Sequence, residues 1–265
     1  MLRLLREPRW LGYIGLAVVF AVVCCLLGSW QWNRREEALT AIDRLESNYD
    51  REPAAVAEVL PELDTFDPDQ QWTPVLLEGE YLLDQQLLLR GRWQGGQVGF
   101  DVIAPFRTTD GTVMIVDRGW IDQASGAEQP VSDPATPAGP TTVVARLRPN
   151  EGSIAGRGAP EGQIASVDLP SLSEQLGLPS YTGAYGLLVS EAGGVPADVS
   201  VATRPVLDEG PHLSYTLQWF VFALGGFAAV AWGMRDELRS ESPVERPKRG
   251  RRTDADVEDD ILDRS

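Results

Sequence analysis

Two long stretches free of charge constrain this chain more than any other feature. No Asp, Glu, Lys or Arg occurs in residues 11–33 or in residues 210–234. At about 1.5 Å of rise per residue, a helix over either stretch spans roughly 33–37 Å, enough for a hydrocarbon core of about 30 Å. Buried helices of globular domains seldom run so far without a charge, so both stretches are expected to be transmembrane. A cleaved signal peptide is the rival for the first, since Arg3, Arg6 and Arg9 lie at its start. The apolar run is longer than a signal core, however, and it ends in Trp30-Gln31-Trp32 instead of a small-residue cleavage site. A lipid attachment site at Cys24 or Cys25 fits poorly, because Val23 and Cys24 stand where a small residue is required. A retained anchor is the expectation.

Basic residues near the span ends set the orientation. Three arginines against the single acid Glu7 precede the first span, and residues 235–252 carry seven Lys/Arg against four acids. Residues 33–211 hold 12 Arg and 28 Asp/Glu. Arg34 and Arg35 weaken the contrast, but Glu36 and Glu37 sit beside them. The expected layout is a cytoplasmic N-terminus (1–10), helix 11–33, an extracytoplasmic domain (34–209), helix 210–234 and a disordered cytoplasmic tail (235–265). The basic cluster at 246–252 could touch anionic lipid, although a solvated tail suits it equally.

The acidic middle argues against nucleic-acid binding, which needs a basic footprint. It also lacks cysteine, since Cys24 and Cys25 both lie in the first span, so neither a disulfide framework nor a CxxC metal site is available. Residues 34–49 read as a helix, with Leu39, Ile42 and Leu45 on one face, and a short helix is expected over 53–60. From Trp72 the pattern changes to strands: 75–81, 86–90, 96–106, 112–116, 141–148, 164–167 and 183–190. The clearest hairpin is 106–116, where Asp110-Gly111 tolerates the positive φ of a two-residue turn. Residues 122–140 contain four prolines and read as a loop, and 169–178 as a small helix ending near Gly177. The expected fold is two transmembrane α-helices flanking a β-rich α+β domain, built as a strongly curved antiparallel sheet or partial barrel.

Little in the chain suggests catalysis. His212 is its single histidine, and neither a phosphate-binding glycine loop nor a metalloprotease motif is present. An enzyme is not expected. The notable cluster lies at the outer ends of the spans, where a helical hairpin would bring Trp30, Gln31 and Arg34 near His212, Tyr215, Gln218 and Trp219. Aromatic and arginine side chains collect at membrane interfaces for their amphipathic character alone. His212, Gln31 and Gln218 are harder to place that way, because polar groups in a bilayer usually face a partner. For His212 a cofactor or partner contact and a simple cap at the membrane surface are balanced.

These residues form part of a wider match. The run Leu27-Gly28-Ser29-Trp30-Gln31-Trp32-Asn33-Arg34 is followed by Glu78-Gly79-Glu80-Tyr81, by Gly99-Phe100-Asp101-Val102 leading to Pro105-Phe106, and by Val116-Asp117-Arg118-Gly119-Trp120. It closes with Gly210-Pro211-His212-Leu213-Ser214-Tyr215-Thr216-Leu217-Gln218-Trp219-Phe220. In order and position the chain resembles the surfeit locus protein 1 family, assembly factors of haem-copper cytochrome c oxidase in the respiratory chain. The resemblance implies a plasma-membrane protein that assists insertion or stabilisation of haem a in the oxidase catalytic subunit, alongside other assembly factors. It makes His212 the candidate haem-iron contact. Trp30 and Trp219 then suit packing on the porphyrin, and Arg34 and Arg118 suit its propionates. For Arg118, an Arg-Gly-Trp following a hairpin strand equally suits a structural turn. Two alternatives stand beside this reading. One is a haem-free scaffold or accessory subunit bound to the oxidase or a respiratory supercomplex. The other is a membrane sensor acting through the tail.

Overall fold

The computed structural model describes residues 4–123, 130 and 134–240. The tail from residue 241 and much of the proline-rich 122–140 segment lie outside the described residues. The chain divides into two compact units, one formed by residues 1–35 and 211–265, the other by Glu36–Gly210.

The first unit is a pair of helices, each long and apolar enough to cross a membrane. Helix α1 spans Pro8–Asn48, with its last turns belonging to the second unit, and α4 spans His212–Ser240. The seam between them follows a seven-residue spacing. On α1 it runs through Trp10, Ala17, Cys24 and the half-buried Gln31; on α4 through Thr216, Ala223, Val230 and Glu237. Such spacing keeps one face toward a partner, and small residues on it let the backbones approach. Glycines receive rings from the opposite helix: Phe220 lies over Gly28, Phe20 over Gly226 and Trp10 over Gly233. Near the chain termini Glu237 accepts hydrogen bonds from Arg9 and from the Trp10 indole.

The second unit is built on strands β1 (Ala54–Ala55), β2 (Pro74–Tyr81), β3 (Leu87–Gln94), β4 (Gln97–Thr108), β5 (Val113–Asp122), β6 (Thr141–Pro149), β7 (Gln163–Ile164) and β8 (Ala184–Glu191), with short helices α2 (Val56–Val59) and α3 (Leu169–Leu176). Strand β2 pairs with β6 over Pro74 to Gly79 and with β4 over Gly79 to Tyr81. The circuit β2–β6–β8–β5–β4 therefore returns to β2 and closes a five-stranded barrel. Its interior is filled by Val75, Leu77, Phe106, Met114, Val116, Val143, Ala145 and Leu147. Helix α3 ends at Gly177, which takes the left-handed conformation expected of a C-cap. Its Leu169 and Leu172 form a second core with Leu89, Ile103, Ile115 and Tyr185.

Three features differ from the sequence expectations. The sheet is mixed, because β1–β2, β3–β7 and β5–β8 pair in parallel. The 106–116 hairpin closes at Thr108 and Thr112, so its loop has three residues, with Gly111 at φ +90° and the Asp110 carboxylate accepting from the Thr112 amide. That is the turn-plus-bulge solution for a right-twisted hairpin. Finally, Arg118-Gly119-Trp120 lies inside β5 and forms no turn after it: two residues there oppose Val102 of β4, and Gly119 adopts φ +127°.

The end of α1 is seated within this unit by aromatic and arginine contacts. Leu45 and Tyr49 pack on Trp72, and the Tyr49 ring lies against the guanidinium groups of Arg146 and Arg204. Asn48 donates to the carbonyls of Asp69 and Gln71. Arginine in this domain thus serves as an aromatic partner as well as a charge.

Candidate functional site

The helical pair brings together two of the polar residues singled out above. Nδ1 of His212, the first residue of α4, lies 2.8 Å from Gln31 Oε1 on α1. One turn further, Thr216 is buried, its hydroxyl donating to the His212 carbonyl at 2.9 Å and lying 3.5 Å from the Gly28 carbonyl. The Phe220 ring and the Trp219 Cβ close over Gly28. His212 is therefore fixed from both helices, while its ring remains partly exposed.

The other hairpin candidates are mostly exposed. Tyr215 and Gln218 lie on exposed faces of α4, Trp30 is 56% exposed, and Arg34 is exposed on α1. Trp219 is half-buried and meets Phe222 edge-on. Residues 212 and 216 face α1. Thr216 and Gly28 stand in the quoted motifs, but the sequence assigns neither a role. For Thr216 the signal is its seven-residue spacing from Ala223, which marks a helix seam and not a ligand. An apolar recess of about 500 Å³ in this unit is lined by residues such as Trp10, Tyr13, Phe20, Gly226 and Val230.

Arg118 belongs to the β-unit, and the structure gives it an internal role. Its side chain is 0% exposed. Nε and Nη2 donate to the two carboxylate oxygens of Glu191, at 3.1 and 2.6 Å. Nη1 donates to Thr136 Oγ1 and Nη2 also to the Ala135 carbonyl, at 2.6 and 2.9 Å. The Tyr81 hydroxyl donates to Glu191 at 2.8 Å, and burial beside that carboxylate pushes its pKa up.

A second buried polar cluster was not anticipated, although two of its members stand in the quoted motifs. Asp117 is only 7% exposed and accepts from the Gly119 amide at 3.0 Å. Burial, reinforced by neighbouring Asp101, pushes its carboxyl well above the ordinary range. Asp101 is raised to about 6, chiefly by burial, with Arg92 opposing. Arg92 lies 3.1 Å from Asp101 and donates to Glu151 at 2.5 Å; its hydrogen bond and charge draw the Glu151 carboxyl down despite burial. Both raised carboxyls bind protons more tightly folded than unfolded, so the fold gains stability as pH falls from 7.5 toward 5. Glu151 works the other way: with its carboxyl drawn down, the stability it contributes is lost as pH falls below the ordinary carboxylate range. Asp117→Asn keeps the acceptor for Gly119 and removes the charge. It is expected to stabilise the protein by on the order of 1 kcal/mol at pH 7.5 and to flatten this dependence. Urea unfolding at pH 5, 6 and 7.5 reads both effects, and wild-type stability that falls toward pH 5 contradicts them.

A closed β-barrel unit joined to a pair of helices long and apolar enough to cross a membrane defines the class. The SURF1 family model matches residues 18–224, and the chain belongs to that family. It is 32% identical to a SURF1-like protein of Mycobacterium bovis over 258 residues, 93% of each chain. It is also similar to a SURF1-like protein of Rickettsia felis, 23% identical over 75% of this chain and 86% of that one. The cytochrome oxidase assembly protein SHY1 of Saccharomyces cerevisiae is 26% identical over 44% of this chain and 31% of its own length.

Proposed function

We propose that this protein is a membrane-anchored assembly factor of haem-copper cytochrome c oxidase, assisting the insertion or stabilisation of haem a in the catalytic subunit. Family membership and the yeast relative's printed role support the oxidase assignment. The charge pattern supports both helices crossing the plasma membrane, with both termini cytoplasmic and residues 34–209 outside.

The observation that carries the haem reading is the placement of the single histidine, held between the helices by Gln31 with its ring partly exposed. The donor set fits the group: a neutral imidazole can ligate haem iron, and His212 is only partly buried. His212 would hold the iron. The exposed Trp30 and Tyr215 offer flat surfaces beside it, and Arg34 a cation for a propionate. Bound haem would supply the redox centre of the oxidase; this chain's residues bind and orient it.

His212→Ala is expected to remove the haem signal from the purified protein and to slow oxidase maturation. Optical spectra and oxidase activity of membranes measure the two effects. Unchanged haem content together with unchanged maturation would rule out the ligand role. The exposed Tyr215, Gln218 and Trp30 also suit a second reading, a haem-free scaffold presenting this face to an oxidase subunit. Under that reading the unaltered protein co-purifies oxidase chains while carrying no haem of its own.

A further inference from the structure

We propose that Gln31 is a positioning residue that fixes His212 as the Nδ1–H tautomer and so presents Nε2 as the ligating nitrogen. The inference rests on the haem reading above and adds to it the atom that binds and the residue that selects it.

A neutral imidazole carries one proton, so one ring nitrogen donates and the other accepts. Nδ1 lies 2.8 Å from the Gln31 carbonyl oxygen, an atom that can only accept. Nδ1 therefore holds the proton, and the lone pair resides on Nε2. The same contact holds the ring plane, because Gln31 is fixed to α1 and His212 to the start of α4. The distance between those helices is itself held by packing: the Phe220 ring lies 3.3 Å from where a Gly28 Cβ would stand, and Thr216 is buried beneath His212. Partners of this kind, hydrogen-bonded to the non-ligating nitrogen, orient metal-binding histidines and raise their basicity.

Because His212 is the only histidine, uniform ¹⁵N-histidine labelling of the full chain in detergent reports on one imidazole. At pH 9 a free imidazole is neutral, and the wild-type spectrum is expected to show the proton on Nδ1. Gln31→Leu should move it toward Nε2 and weaken titration with ferric protoporphyrin IX by about 10–100-fold. Gln31→Glu, which retains the acceptor, should restore both the tautomer and the low-spin spectrum. A wild-type proton on Nε2 overturns the proposal, as does a Gln31→Leu protein that binds ferric haem like wild type. A wild type with the Nδ1–H tautomer that takes up no haem overturns it at a different point, by removing the ligand reading beneath it.

Discussion

Replacing Arg118 with alanine is expected to destabilise the β-unit by about 3–5 kcal/mol. The figure does not measure the intrinsic worth of the ion pair, which a well-packed apolar pair can match. It reflects what the substitution leaves behind. Glu191, with only 5% of its side chain exposed, would lose the guanidinium from both oxygens and keep only the Tyr81 hydroxyl as a donor. Thr136 and the Ala135 carbonyl would lose their donors on the segment that crosses this site. That segment would keep the bond from the Ala135 amide to Asp198 and the one from Thr136 to Gln86. Urea unfolding followed by tryptophan fluorescence gives the stability change, and limited proteolysis reports on residues 134–140. The double variant Arg118→Met/Glu191→Leu should recover more than half of the loss, since it leaves no uncompensated buried charge. A single-variant loss below about 1 kcal/mol would falsify the account.

Gly79→Ala is expected to have a comparable effect for a different reason. Gly79 is where β2 changes partners, facing Thr141 of β6 on one side and Thr108 of β4 on the other. A Cβ there would stand 2.0 Å from the Arg107 carbonyl oxygen and 2.8 Å from the Thr108 Cα. Both are backbone atoms, so no rotamer change relieves the clash; the β2–β4 seam must open. The expected loss is about 3 kcal/mol, or roughly 6–12 °C in melting midpoint for a domain of this size, and Gly79→Val should fail to fold. Hydrogen exchange locates the damage, with protection lost first at amides of β2 and β4. A Gly79→Ala protein melting within about 2 °C of wild type would mean that the barrel closes less tightly than described.

The hairpin site was partly legible in the sequence. His212 and Gln31 stood out because polar groups inside apolar spans are costly without partners, and they do meet. Tyr215, Gln218, Trp30 and Arg34 could be placed near the span ends, but their facing depends on the rotation of each helix. That rotation is set by Ala17, Cys24, Gly28, Thr216 and Ala223, small residues whose spacing carries no chemical label. Arg118 shows the same limit in the barrel. Its motif could be seen, yet whether its guanidinium faced a ligand or Glu191, 73 residues away, was a matter of which strands pair.

Features governed by local physics were determined by the sequence itself. The two bilayer-length helices follow from uncharged length, the end of α3 from the conformational freedom of Gly177, and the β4–β5 hairpin from Asp110-Gly111 between apolar runs. Tertiary structure alone decided the parallel pairing of β5 with β8, the closure of β2 onto β4, the burial of Asp101 and Asp117 beside a single arginine, and the meeting of His212 with Gln31. Each of these joins residues distant in the chain. Strand periodicity tells which face is buried but not which partner lies alongside, and that choice belongs to the packing of the whole unit.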